Sequence, residues 1–277
     1  MSNVELFRLG DIPQALLDEA LALIKPYATA IGWVGQHIGS GTFVRINNRF
    51  GILTAAHVWE CVFSGRREHP EIQLVVANGA HSYSVSVDYL MPHLGITRTS
   101  DPWGPDIEFI ELPPATVDRV EVAKSFYNLS LAPAKQFALA TADDGFAAIT
   151  GFAEEQSKVS PLAGQNEALL LELRGGFVSA IESRVKKGDY DYLETIGDRQ
   201  SVPTLPKSYG GVSGAGLWRM SLNKKPGAPI TQAKVDDIFA MAGVAFYEES
   251  RGDGMMTLRY HGPETIYRLL PRLVPPK

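Results

Sequence analysis

The chain has 277 residues, 45% of them hydrophobic, with 26 Gly and 18 Pro, enough apolar content for one large core or two modest ones and enough turn formers for a β protein. Its net charge of −5 and its scattered Lys and Arg residues exclude the basic stripe of a nucleic-acid binder. Cys61 is the only cysteine, so intramolecular disulfides are excluded, and no apolar run is long enough to span a membrane.

Residues 1–30 carry acids inside their apolar run and lack a basic start and a small-residue cleavage site. We therefore expect no signal peptide and a reducing, cytoplasmic setting. Asp11 or a neighbour can cap a helix with Pro13 in its first turn, and Ala15, Leu16, Ala20, Leu23 and Ile24 recur at helical spacing up to Lys25-Pro26. This helical extension, residues 1–29, is either packed on the outside of the fold or an arm for a regulatory partner.

Strands are expected at Ala30–Val34, Gly39–Val44 and Phe50–Thr54, with a hairpin turn at Asn47-Asn48. Glu71–Val76 and Tyr83–Tyr89 follow, the latter with Tyr83, Val85, Val87 and Tyr89 on one face. Asp101-Pro-Trp-Gly-Pro105 is a rigid turn that sets Asp106 at the start of a buried strand marked by Ile107, Phe109 and Leu112. Pro113-Pro114 ends it, and Ala115–Phe126 crosses to a second half that opens near Gln136. That half holds strands at Phe146–Phe152, Glu167–Leu173, Gly176–Ile181, Tyr190–Glu194, Leu217–Met220 and Ile238–Tyr247, and a closing helix over Glu264–Leu270.

Three stretches carry chemistry. In Lys207-Ser-Tyr-Gly-Gly-Val-Ser-Gly-Ala-Gly-Leu-Trp218, Ser213 sits among Gly210, Gly211, Gly214 and Gly216, which let backbone N–H groups converge beside the hydroxyl. A hydroxyl at its free pKa is a poor nucleophile and needs a histidine base and a group that orients the base. Gly51-Ile-Leu-Thr-Ala-Ala-His57 supplies the base, and Asp106 in Pro105-Asp-Ile-Glu-Phe-Ile110 supplies the acid.

Thr54-Ala-Ala-His57, Asp106-Ile-Glu-Phe-Ile110 and Gly211-Val-Ser-Gly-Ala-Gly216 resemble the three signature segments of the trypsin/chymotrypsin-like serine proteases, in that family's His, Asp, Ser order. The separations, 49 residues (106 − 57) and 107 residues (213 − 106), fit as well. The resemblance spans roughly residues 30 to 273 and is specific only around these segments. It implies a mainly all-β fold of two six-stranded antiparallel β-barrels. The first would span residues 30–125 and carry His57 and Asp106; the second, residues 126–277, would carry Ser213 and the C-terminal helix.

By the same resemblance the chain would be a serine endopeptidase, of a bacterial, disulfide-free type, acting on protein or peptide substrates without metal or organic cofactor. Gly211 and Ser213 would form the oxyanion hole. Lys207 and Ser208, with Ala245, Phe246 and Tyr247, would form the substrate pocket. A basic floor at Lys207 would select acidic side chains; alternatively Lys207 faces solvent or pairs with an acid such as Glu248. His261 could line the pocket or lie on the surface, and His37, His69, His81 and His93 lack metal-ligand spacing.

Two departures from the family pattern stand out. Val58 replaces the cysteine that secreted members carry after the histidine, and Val212 replaces the aspartate that zymogen-derived members use in activation. The site is thus either constitutively formed or ordered by an activating protein. Two further functions remain open: a catalytically silent binding or regulatory module of the same fold, and an esterase with the same triad.

Overall fold

The computed structural model describes residues 13–77, 81–96, 101–142, 146–156, 158–161, 167–170, 174–178, 181–198, 208–223, 234–252 and 254–277. The chain is mostly β. After helix α1 (Gln14–Ile24) come β1 (Ala28–Trp33), β2 (Gln36–Ile46), β3 (Arg49–Thr54), α2 (Ala56–Gly65), β4 (Glu71–Ala77), β5 (His81–Ser86), β6 (Met91–Pro92), β7 (Glu108–Glu111), α3 (Pro114–Glu121) and β8 (Tyr127–Asn128). Then follow α4 (Pro133–Thr141), β9 (Phe146–Gly151), β10 (Lys158–Pro161), β11 (Glu167–Leu170), β12 (Arg174–Val178), β13 (Ile181–Lys187), β14 (Tyr190–Asp198), β15 (Gly216–Asn223), β16 (Lys234–Gly252), β17 (Met255–His261) and α5 (Leu270–Leu273).

The strands form two large sheets and a separate β10–β11 hairpin. Among the described residues, sheet one runs β5-β4-β1-β2-β3-β7-β6, with β8 alongside β2 in the one parallel pairing; sheet two runs β12-β9-β15-β16-β17-β14-β13. Their strand counts, eight and seven, differ from the six expected of each half: the two-residue strands β6 and β8 add to sheet one, while sheet two gains β13 and β17 and lacks β11, which pairs with β10 instead.

Local chemistry accounts for several elements. Asn47 and Asn48 both adopt positive φ, the backbone a two-residue hairpin loop needs to match strand twist, so β2 and β3 pair in register from Thr42↔Leu53 to Ile46↔Arg49. In α1, Leu16, Ala20 and Ile24 fall four residues apart and bury one face. That face joins the larger hydrophobic cluster, which also takes Val44, Leu53 and Phe109 from sheet one and Leu217, Trp218, Met241 and Tyr260 from sheet two. Helix α1 is therefore part of the core. Its N-cap is Pro13, which makes no side-chain cap, and Asp11 lies outside the described residues.

Elsewhere the structure departs from expectation. Residues beyond His57 continue as α2, burying Ala56, Val58, Trp59 and Val62 at helical spacing. Tyr83–Tyr89 is strand only to Ser86; a 3-10 turn over Val87–Tyr89 then turns Tyr89 into solvent. The crossover contains α3, and Gln136 lies within α4 rather than opening a strand. In both helices a proline stands in the first turn, where its missing N–H costs no helical bond. The closing helix runs as a π-helical stretch, Thr265–Leu269, into α5.

Candidate active site

β3 delivers its last residue, Thr54, beside Glu108 of β7, and this register brings the chain just beyond β3 against the chain just before β7. His57 sits in the first turn of α2 and Asp106 two residues ahead of β7. The Asp106 carboxylate accepts twice from His57: Oδ1 from the backbone N–H at 3.0 Å, and Oδ2 from ring Nδ1 at 2.7 Å. Because a carboxylate only accepts, Nδ1 carries the ring proton and Nε2 remains as the basic nitrogen. Burial pushes the Asp106 carboxyl up, but the His57 hydrogen bonds and charge outweigh it and hold it below the usual carboxylate range. The histidine side chain keeps 25% exposure against 6% for the acid, so the imidazole faces the surface and the carboxylate is shut in behind it.

Ser213 is tied to the same sheet. Its carbonyl accepts from the Ser40 N–H of β2 at 2.8 Å, and the Thr54 hydroxyl donates to the Ser40 carbonyl at 2.7 Å. The loop that carries the serine therefore rests on the β2–β3 pair that leads into His57. Gly214, with φ +92, donates its N–H to the Ala245 carbonyl at 2.7 Å, and a Cβ there would collide with the Ser40 carbonyl and the Thr54 hydroxyl. At Gly211, with φ +83, an added Cβ would likewise collide with the His37 ring and the Phe152 carbonyl.

The expected oxyanion donors are oriented by their own peptides. In a trans peptide the C=O and N–H point to opposite sides. The Gly210 carbonyl accepts from Glu154 N–H at 2.8 Å and the Val212 carbonyl from Ala215 N–H at 2.8 Å, so the Gly211 and Ser213 N–H groups are turned away from those partners. The Ser40 hydroxyl donates to the Gly211 carbonyl at 2.7 Å and accepts the Phe152 N–H at 3.0 Å, stitching this loop to the end of β9. Val212, the residue before the serine, is buried.

The residues assigned to a substrate pocket are only partly gathered. Lys207 lies outside the described residues. Exposed Ser208 donates its hydroxyl to Glu248 at 2.9 Å, and the same carboxylate takes the Tyr209 N–H, so Glu248 is engaged by the loop itself. Ala245 is buried and bonded through both backbone groups, its N–H to Ala215. Phe246 is buried with its ring centroid 4.7 Å from that of His261, and Tyr247 lies under the Arg259 guanidinium at 4.8 Å.

His261 is neither on the surface nor open to a pocket. It is fully buried, and its Nε2 accepts the backbone N–H of Asp106 at 3.0 Å. Nothing in the sequence near His261 signals this contact. Ser40 and Glu154 carry no such signal either, beyond the Gly39-Ser-Gly41 spacing that permits a close backbone approach near Ser40. Among the described residues no group of three or more His, Cys, Asp or Glu side chains could hold a metal ion, and no helix is long and apolar enough to cross a membrane.

No protein-family model and no curated protein matches this chain. It is similar to a solved structure from work on the aromatic interactions that drive coupled folding and binding of the intrinsically disordered Sesbania mosaic virus VPg protein. The likeness covers 88% of this chain and 90% of that one, at 17% identity and a TM-score of 0.47, and carries no argument about function.

Proposed function

We propose that this chain is a serine hydrolase that cleaves peptide bonds through Ser213, His57 and Asp106. The observation that carries the reading is the double hydrogen bond from His57 to Asp106, which fixes the imidazole tautomer. His57 Nε2 takes the Ser213 proton as the oxygen attacks a carbonyl, then returns it to the leaving amine; water repeats the cycle on the acyl-enzyme. The Gly211 and Ser213 N–H groups receive the oxyanion, an interaction worth about 2.7–4 kcal/mol per donor. Asp106 stays ionised and stabilises the imidazolium.

In this proposal the two sheets are two barrels of the trypsin/chymotrypsin type, the first contributing the histidine and acid and the second the serine, in a cytoplasmic protein acting on protein or peptide substrates. The hydrogen-bonded Ser213 loop supports a constitutively formed site over one ordered by an activating partner.

A fluorophosphonate probe tests it. The parent should be labelled at Ser213, and Ser213→Ala should fold, resist labelling and lose hydrolysis of a peptide library. Folded parent that resists the probe would move the assignment to a binding module; labelling with hydrolysis of esters but not peptides would move it to an esterase.

A further inference from the structure

Asp106 is held at three points, two of them by His57. The third is its own backbone N–H, which donates to Nε2 of His261 across 155 residues of sequence. This contact joins the two sheets, since His261 ends β17 of sheet two while Asp106 leads into β7 of sheet one.

The His261 ring is built into its place. It lies among Phe246, Tyr192 and Tyr190, with ring centroids at 4.7, 5.1 and 5.7 Å. The chain on either side is pinned as well. β17 pairs with β14 through Tyr192↔His261, and Asp191 takes the N–H groups of Glu264 and Thr265 while its carbonyl takes that of Gly262. Since Nε2 accepts, the ring proton is on Nδ1, which has no partner among the described residues. A buried donor without an acceptor costs about 1–3 kcal/mol, so an apolar ring would serve packing better. Burial also pushes the ring's pKa down to about 3, against the opposing pull of Asp106, so it is neutral near pH 7. What the imidazole does here that a phenyl ring cannot is accept the Asp106 N–H without adding charge beside the carboxylate.

We propose that His261 is a positioning residue: a neutral acceptor on sheet two that fixes the Asp106 backbone and through it the orientation of His57. This rests on the triad reading above. The Asp106 carboxylate can meet both His57 donors at once only while its main chain is held, and a displacement of about 1 Å in such a constellation costs on the order of a hundredfold in rate.

The test pairs a measurement on the folded parent with two substitutions. In ¹⁵N-labelled parent protein, His261 Nε2 should report an unprotonated nitrogen from pH 5 to 8, coupled through the hydrogen bond to the Asp106 amide. A protonated Nε2, or no such coupling, overturns the proposal whether or not any variant folds. His261→Leu removes the acceptor, and His261→Gln keeps one at a similar reach. His261→Leu should slow fluorophosphonate labelling by about tenfold to a hundredfold and weaken the low-field Nδ1 proton resonance of His57, and His261→Gln should restore most of both. Equal effects from the two variants would mean a packing role only. The resonance needs no turnover, so an inactive parent that still shows it would count against the triad reading and not against the His261 contact.

Discussion

The Glu154 N–H donates to the Gly210 carbonyl at 2.8 Å, and this bond between the turn after β9 and the serine loop orients the Gly211 N–H on the far side of the shared peptide. Glu154 opens a 3-10 turn, a position where proline's fixed φ is tolerated. Glu154→Pro should therefore keep the fold while freeing the peptide to rotate. We expect turnover to fall by about tenfold to a hundredfold, less than the loss seen when an oxyanion donor is removed outright. Unchanged turnover in a folded variant would show that this bond does not set the donor.

Gly214 tests the strain in the same loop. At φ +92 an L side chain is disfavoured, and the added methyl would strike the Ser40 carbonyl and the Thr54 hydroxyl that carry the loop on sheet one. Gly214→Ala should cost about 2–4 kcal/mol of stability. Urea unfolding of parent and variant measures it, and a cost under 1 kcal/mol, by the same reasoning, would mean that the loop moves aside easily.

Glu108 is buried, with both carboxylate oxygens committed. Oε1 accepts the N–H groups of His93, Leu94 and Phe109 at 3.0, 2.8 and 3.0 Å, and Oε2 accepts that of Gly95 at 2.9 Å. Glu108→Gln keeps the shape, yet whichever way the amide is turned its NH₂ faces a backbone donor. A loss of about 2–3 kcal/mol follows from the unsatisfied groups. Thermal unfolding checks this, and a neutral substitution would mean that the side chain is protonated in the parent.

An unfolded histidine takes its proton near pH 6.5, whereas buried His261 does so only at about 3. The unfolded state thus binds the extra proton in this window, so the group's contribution is complete above pH 6.5 and is lost as pH falls toward 3. Between pH 6 and 4 the parent should lose up to about 1.4 kcal/mol per pH unit from this residue, and His261→Gln should lose less. Parallel pH slopes for the two proteins would contradict the assignment. Asp106 and Glu111, both held below the usual carboxylate range, add their losses only at the acid end.

What could be read from the chain alone was whatever a few neighbouring residues decide. Asn47-Asn48 announced a turn because positive φ is a local property of asparagine, and the four-residue spacing of Leu16, Ala20 and Ile24 announced a buried helical face. The segments around His57, Asp106 and Ser213 stood out for the same reason, and the structure brings His57 and Asp106 of two of them into contact. Helices α2, α3 and α4 were missed because short helices depend on packing more than on propensity. β17 went unrecognised because its burial on both sides comes from β16 and β14, not from any pattern of its own. The partners of His261 and Ser40 lie 155 and 171 residues away, and only the meeting of two sheets could decide them, since a hydrogen bond forms between groups that packing brings together, however far apart they stand in sequence.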